Sequence, residues 1–341
     1  VVAAALDTKP YVQHHPVFGY HYIPSTEMLL RKPGGGRYRI RINTAGIRSD
    51  REYATAKAAG TYRIIVLGDS MAAGQFVPNE CRFSELLERR IPGLEVINLA
   101  LEGSGTDQQL LLYEHVGVRY EHDAVLLLPF LQNIRRNMVE ARDAIDPRTQ
   151  MMTLRPKPRF LLIDGELVLQ NVPVPADVSR SELAARSAAE AAPPAWKTRV
   201  AGLPGAWLWR RLAQAVWPWE PFPEYRDAGS AEWQLMSALI LRLKGAARER
   251  PLVVAPTFYA NYVRFRMARN YWARFSSLGS IAGVHPVDLL PHFRRRSIDD
   301  PAASFQEPFD MHFSVMGHVV LADALELELR RLDLLPLPAA A

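Results

Sequence analysis

Two short stretches hold residue types that together perform nucleophilic catalysis. Gly68-Asp69-Ser70 closes the apolar run Arg63-Ile64-Ile65-Val66-Leu67 and opens a helical segment, so it predicts a serine hydroxyl at the C-terminal edge of a buried strand. A bare Gly-Asp-Ser is common as a turn or helix cap, and it is the preceding strand that raises it to a candidate nucleophile. A serine attacks well only when a base takes its proton and a third group orients that base. Asp310-Met311-His312 offers both partners: two residues apart in an extended loop point to the same side, so Asp310 can hold one ring nitrogen of His312 and leave the other for Ser70. His318 is a rival base, but it falls inside the following helix, where facing solvent or packing on the sheet is the simpler role.

These residues need a scaffold that brings positions 70 and 312 together, and the pattern from Tyr62 onward supplies one. Strands are expected at Arg63–Leu67, Glu95–Asn98, Ala124–Leu128, Leu252–Ala255 and Val284–Val287. They alternate with helices at Phe83–Arg90, Gln108–Val116, through Leu239 and Leu243, near Tyr271, and from Gly317 to Leu332. Short apolar strands separated by amphipathic helices predict a parallel sheet with helical crossovers, an α/β fold. Residues 62–139 and 228–335 form this core in the sequence reading. Residues 1–61, rich in aromatics, proline and glycine and including the alternating Arg39-Ile40-Arg41-Ile42, form an N-terminal extension. Residues 140–227 break the rhythm with prolines, a hairpin pattern over Phe160–Leu169 and an Ala-rich polar run around Arg186, and are read as an insertion, a lid or a substrate-binding subdomain.

Arg63 to Ser70 with Gly74 following resembles the first block of bacterial SGNH (GDSL) hydrolases. Val96-Ile97-Asn98-Leu99-Ala100-Leu101-Glu102-Gly103-Ser104-Gly105-Thr106-Asp107-Gln108 resembles the second, and Asp310-Met311-His312-Phe313-Ser314-Val315-Met316-Gly317-His318 the last. The resemblance implies a three-layer α/β/α sandwich of flavodoxin-like type. It also implies catalysis by Ser70, Asp310 and His312, with an oxyanion hole formed by Ser70, Gly103 and an amide of the third block. That block departs from the usual Gly-x-Asn-Asp: here it reads Pro129-Phe130-Leu131-Gln132-Asn133-Ile134-Arg135-Arg136-Asn137, without the Gly and the Asp. Asn133 is the candidate donor, Gln132 the alternative one residue away, and a polar loop with no role in the site the plain reading; loss of the donor would cost a few kcal/mol of catalysis. An α/β-hydrolase elbow needs Gly-x-Ser-x-Gly, and Ala72 occupies its last position.

The resemblance, together with the Ile42-Asn43-Thr44-Ala45-Gly46-Ile47-Arg48 stretch, points to a hydrolase or O-acyltransferase acting on small acyl esters, acetyl above all, of a carbohydrate or polysaccharide. A lipid esterase of lysophospholipase type and a catalytically weak carbohydrate-binding protein on the same fold stand as alternatives. Trp196, Trp207, Trp209, Trp217 and Trp219, with Arg210 and Arg211, crowd into the insertion, where they would pack it on the core, face a sugar, or touch a membrane surface.

Bulk properties narrow the partners. A chain of 341 residues, 48% hydrophobic and 23% charged, is globular in composition, and a formal charge of +5 attracts anions only weakly. No nucleic-acid-binding signature occurs, so nucleic acid is not an expected partner, and Arg294-Arg295-Arg296 reads as a solvated helix end. His14, His15 and His21 lack metal-ligand spacing, and neither metal nor cofactor is expected. The lone Cys81 rules out an intrachain disulfide. The chain starts at Val1 without an initiator Met, which suggests removal of an upstream signal or anchor and an extracytoplasmic (periplasmic, secreted or membrane-anchored) location.

Overall fold

A computed structural model describes residues 10–32, 34–145, 152–176, 218–296, 303–306 and 310–335. At its centre lie five parallel strands: β5 (Tyr62–Gly68), β6 (Leu94–Asn98), β7 (Ala124–Leu128), β12 (Leu252–Val254) and β13 (Val284–Pro286). Their order across the sheet is β13-β12-β7-β5-β6. β7 is buried at every position and β5 at every position after Tyr62, as expected of strands covered on both faces.

The order has a physical consequence for the site. From β5 the chain runs one way to β6 through α2 (Phe83–Arg90), then returns past β5 to β7 through α3 (Thr106–His115). Right-handed crossovers in opposite directions put these two helices on opposite faces and open a crevice above the C-terminal ends of β5 and β7. The short helix α1 (Ser70–Ala73) begins there, and α4 (Asn133–Arg136) follows β7 on the other side of the crevice. α5 (Ala231–Ala247) packs against α3, while α9 (Val315–Arg331) packs against α2. α6 (Ala260–Arg264), α7 (Asn270–Ser277) and α8 (Leu290–Arg296) complete the described helices, and none of these is long and apolar enough to cross a membrane.

α3 starts at Thr106, two residues before the patterned segment, because its N-terminus is capped from elsewhere: Asn137 Oδ1 accepts from Thr106 N at 2.8 Å. β12 and β13 each end one residue earlier than the pattern suggests, although Ala255 N still donates to Leu127 O at 2.9 Å.

The N-terminal region holds two hairpins, β1 (Val12–His15) with β2 (Gly19–Tyr22) and β3 (Thr26–Arg31) with β4 (Arg37–Ile42). β4 alternates exposed arginine with buried Tyr38, Ile40 and Ile42, as its sequence alternation requires. Phe18, Tyr20, Tyr22, Ile42 and Ile47 join the same core as the central sheet. In residues 140–227, the described parts form the hairpins β8 (Ala141–Ile145) with β9 (Met152–Pro156) and β10 (Arg159–Ile163) with β11 (Glu166–Gln170). The second turns on Asp164 and Gly165, both at positive φ (51° and 85°), the geometry a two-residue hairpin loop favours. Phe160 on β10 is fully buried in the main core. Trp196, Trp207, Trp209, Trp217, Arg186, Arg210 and Arg211 lie outside the described residues, and Trp219 is half-exposed.

Candidate active site

Ser70 is the first residue of α1, directly after β5. Asp69 caps this helix by accepting from Met71 N at 3.0 Å, and Gly74 ends it in the left-handed region at φ 75°. Gly68 is required by close packing: a Cβ there would lie 2.5 Å from that of Ala72 and 3.1 Å from Leu128 O. A buried arginine from the N-terminal region, Arg48, holds the turn in place. It donates to Ala73 O at 2.8 Å, Gly74 O at 3.0 Å, Asn79 Oδ1 at 2.9 Å and Val77 O. The N-terminal region thereby fixes the backbone that carries the serine.

His312 comes from the loop before α9. Residues 303–306 clamp this loop through Gln306 N to His312 O (2.8 Å) and Ser314 N to Ser304 O (3.1 Å), and Ser314 caps α9 by accepting from Gly317 N at 3.1 Å. Gly317 has no room for a side chain, since its Cβ would sit 2.0 Å from Ser304 O. The loop delivers His312 Nε2 to 2.7 Å from Ser70 Oγ. Nδ1 of the same ring meets Asp310 Oδ1, which also accepts from His312 N at 2.9 Å. With the Nδ1 proton directed at the carboxylate, Nε2 is the acceptor for the serine hydroxyl. Burial works to raise the Asp310 pKa, but the hydrogen bonds and charge of His312 outweigh it and hold the carboxyl below its ordinary value. Phe76, at φ 68°, places its ring edge-on to His312 with centroids 5.5 Å apart.

His318 is neither solvent-facing nor on the sheet. It is buried against α2, stacked on Phe83, and its Nδ1 accepts from Phe83 N at 3.3 Å. Burial, then Arg82 and Arg48, lowers its pKa to about 3, so it is a neutral packing residue.

Gly103 lies in the β6–α3 loop, which is tied to the serine strand by Leu101 N and Ser104 Oγ donating to Gly68 O, both at 3.1 Å. Its φ of 82° suits glycine, and Tyr20 and Tyr22 brace the loop from β2 through Tyr20 Oη to Glu102 O (2.8 Å) and Glu102 N to Tyr22 Oη (3.4 Å). The two candidate amides separate. Asn133 is fully buried; its Nδ2 makes one long contact, 3.5 Å, to Thr106 Oγ1, and its Oδ1 accepts from Arg136 at 3.1 Å. Arg136 also pairs with the Asp69 carboxylate, linking Asn133 to the serine turn. Gln132 instead faces Tyr259, whose hydroxyl donates to its Oε1 at 2.9 Å. Arg136 stood in the sequence only as part of a polar stretch. Its one signal was its place one helical turn after Asn133, which carries no information about Asp69.

Two histidines of the N-terminal region have other partners: His14 Nε2 meets Val174 O at 2.8 Å, and His15 stacks on Phe18 at 4.1 Å. Cys81 is half-buried, and its thiol is pushed up by burial.

No protein-family profile and no curated protein matches the chain. Among solved structures it is similar to a lipolytic protein of the G-D-S-L family from Veillonella parvula (10% identity, 80% of this chain and 100% of that one, TM-score 0.43). A lipase/acylhydrolase from Enterococcus faecalis is similar too (13% identity, 82% and 100%, TM-score 0.42), as is a two-domain esterase active on acetylated mannans (10% identity, 82% and 53%, TM-score 0.41).

Proposed function

We propose that this chain is a serine-dependent acyl-ester hydrolase or acyltransferase. The observation that carries the reading is the continuous contact from Ser70 Oγ through the imidazole of His312 to Asp310, made by residues from the two ends of the sheet domain. In this reading His312, oriented by Asp310, takes the Ser70 proton as the hydroxyl oxygen attacks the ester carbonyl. The N–H groups of Ser70 and Gly103 and the Asn133 amide stabilise the oxyanion, and His312 returns its proton to the leaving alcohol. Water or a sugar hydroxyl then accepts the acyl group by the reverse sequence. Asn133 suits the role because its Nδ2 has only a long contact to give up. A small acyl group, such as acetyl on a carbohydrate, is the first substrate reading.

A lipid ester is the second reading, and a separate observation favours it: Met311, Val315 and Met316, on and next to the His312 loop, are exposed apolar side chains at 42%, 39% and 48%. Intact-mass analysis after incubation with a fluorophosphonate tests the nucleophile. A single adduct in the folded chain that is absent from Ser70→Ala is the expected result, and an unmodified wild-type chain that also fails to hydrolyse 4-nitrophenyl acetate would return the protein to a binding role. Rates on 4-nitrophenyl acetate against the decanoate separate the two substrate readings, since acetate preference supports the glycan ester and decanoate preference the lipid.

A further inference from the structure

Beside Gly103 the hairpin β8–β9 presents two arginines on facing positions. Arg142 and Arg155 are directly opposite one another in the antiparallel register, where like charges repel. Arg142 reaches the loop proposed to hold the oxyanion, and Arg155 reaches Tyr20, which braces that loop. Arg142 Nη1 is 2.7 Å, and the Tyr20 hydroxyl 3.2 Å, from where a Cβ on Gly103 would lie, and the Arg155 guanidinium sits 4.7 Å from the centre of the Tyr20 ring. Arg136 adds a third positive charge close enough to act on Arg142.

The two carboxylates that act on the Arg142 charge are already paired. Asp69 pairs with Arg136 and Asp107 with Lys157, and among the described residues neither Arg142 nor Arg155 forms an ion pair of its own. Burial, followed by the nearby Arg136, disfavours the charged form of Arg142. Lys157, directly after β9, also donates to Val139 O and Pro158 O at 2.9 Å each, so the hairpin is anchored.

We propose that Arg142 and Arg155, backed by Arg136, form a subsite for an anionic group, a carboxylate or a phosphate, that the substrate carries close to its scissile ester. This inference deepens the esterase reading and rests on it for the word substrate. Guanidinium groups bind both anions through charge-assisted, often bidentate hydrogen bonds, and an anion between the two side chains would relieve their repulsion.

Equilibrium binding to the Ser70→Ala chain, at constant ionic strength, reads the subsite without any turnover. The probes are inorganic phosphate, trigalacturonate as the carboxylate, and a neutral galactose trisaccharide. At least one anionic probe is expected to bind about tenfold more tightly than the neutral sugar, and the stronger of the two identifies the headgroup. Arg142→Gln and Arg155→Gln should each weaken that binding about fivefold or more, with Arg142→Lys recovering part of it. Arg155→Gln, on the second hairpin strand, keeps the test valid if the Arg142 variant misfolds. Equal binding of charged and neutral probes, no binding of either anion, or anion binding unchanged in both Gln variants would overturn the proposal. Fluorophosphonate capture of Ser70 needs no anion, so failure of the subsite and failure of the esterase reading give different results.

Discussion

Arg48 is where the N-terminal region and the nucleophile turn depend on each other most directly. Its side chain is 1% exposed, donates to three backbone carbonyls and one side-chain amide, and lies 3.5 Å from the Glu102 carboxylate. Arg48→Ala removes these donors at once. Each buried acceptor left without a partner costs about 1–3 kcal/mol, but the losses do not all accrue. Arg82 Nη1 still reaches Ala73 O at 3.4 Å, and water can enter the space the guanidinium vacates. The expected loss of stability is therefore about 3–5 kcal/mol, the range for breaking a buried ionic contact by deleting one partner. Arg48→Lys should lose about half as much, since an ammonium on a flexible stem reaches some of the acceptors but cannot span them as a planar fork does. Urea unfolding followed by circular dichroism measures both variants. Because the lost contacts lie just after Ser70, fluorophosphonate capture in the folded Arg48→Lys chain should also slow. A loss below about 1 kcal/mol for Arg48→Ala, typical of an exposed ion pair, would refute the account.

Asp310→Asn keeps the side-chain shape but no longer stabilises the imidazolium; kcat should fall by about 10⁴ with little change in KM, and an effect confined to KM would count against the proposed role of Asp310. Asn133→Ala should lower kcat about 10²–10³-fold, the cost of one oxyanion donor, while Gln132→Ala, which removes an acceptor from Tyr259, should do far less; the reverse ranking in steady-state kinetics would move the donor to Gln132. His318 is held neutral, with its pKa lowered to about 3 by burial first and then by Arg82 and Arg48. The unfolded imidazole takes its proton near pH 6.5, so below that value the unfolded state binds more protons, and its contribution to stability is lost as the pH falls towards 3, at up to about 1.4 kcal/mol per pH unit. His318→Gln should flatten the wild-type decline in urea-unfolding free energy between pH 6.5 and 5, and an unchanged slope would show that His318 is not its source. Gly103→Ala forces a side chain into the left-handed region against Arg142 and Tyr20, so both thermal stability and kcat should drop, and a variant with wild-type values would remove the need for glycine there.

The residues from Tyr62 to Leu128 show how far local pattern reaches. Continuous apolar runs bounded by glycine specify buried strands, and a serine at the end of such a run is specified with it, because strand burial and strand ends are properties of neighbouring residues. The alternation of Arg37–Ile42 reads just as directly, since one face of a strand meets water and the other does not. Asp310 and His312 are likewise close in sequence, and their mutual contact follows from an extended loop.

The contact of His312 with Ser70, across a separation of 242 residues, is of another kind. Periodicity reports which face of an element is apolar but not which other element covers it, so only the strand order β13-β12-β7-β5-β6 and the docking of α9 on α2 bring the two ends of the chain together. The same limit hid Arg48 beneath the serine turn, Arg136 on Asp69, His318 against Phe83, and the opposed pair Arg142 and Arg155 beside Gly103. A charged or imidazole side chain in sequence is by default a solvated one. What makes Arg48, Arg136 and His318 structural is burial against distant carbonyls, carboxylates and rings, and burial is a property of the packed chain, not of any segment of it.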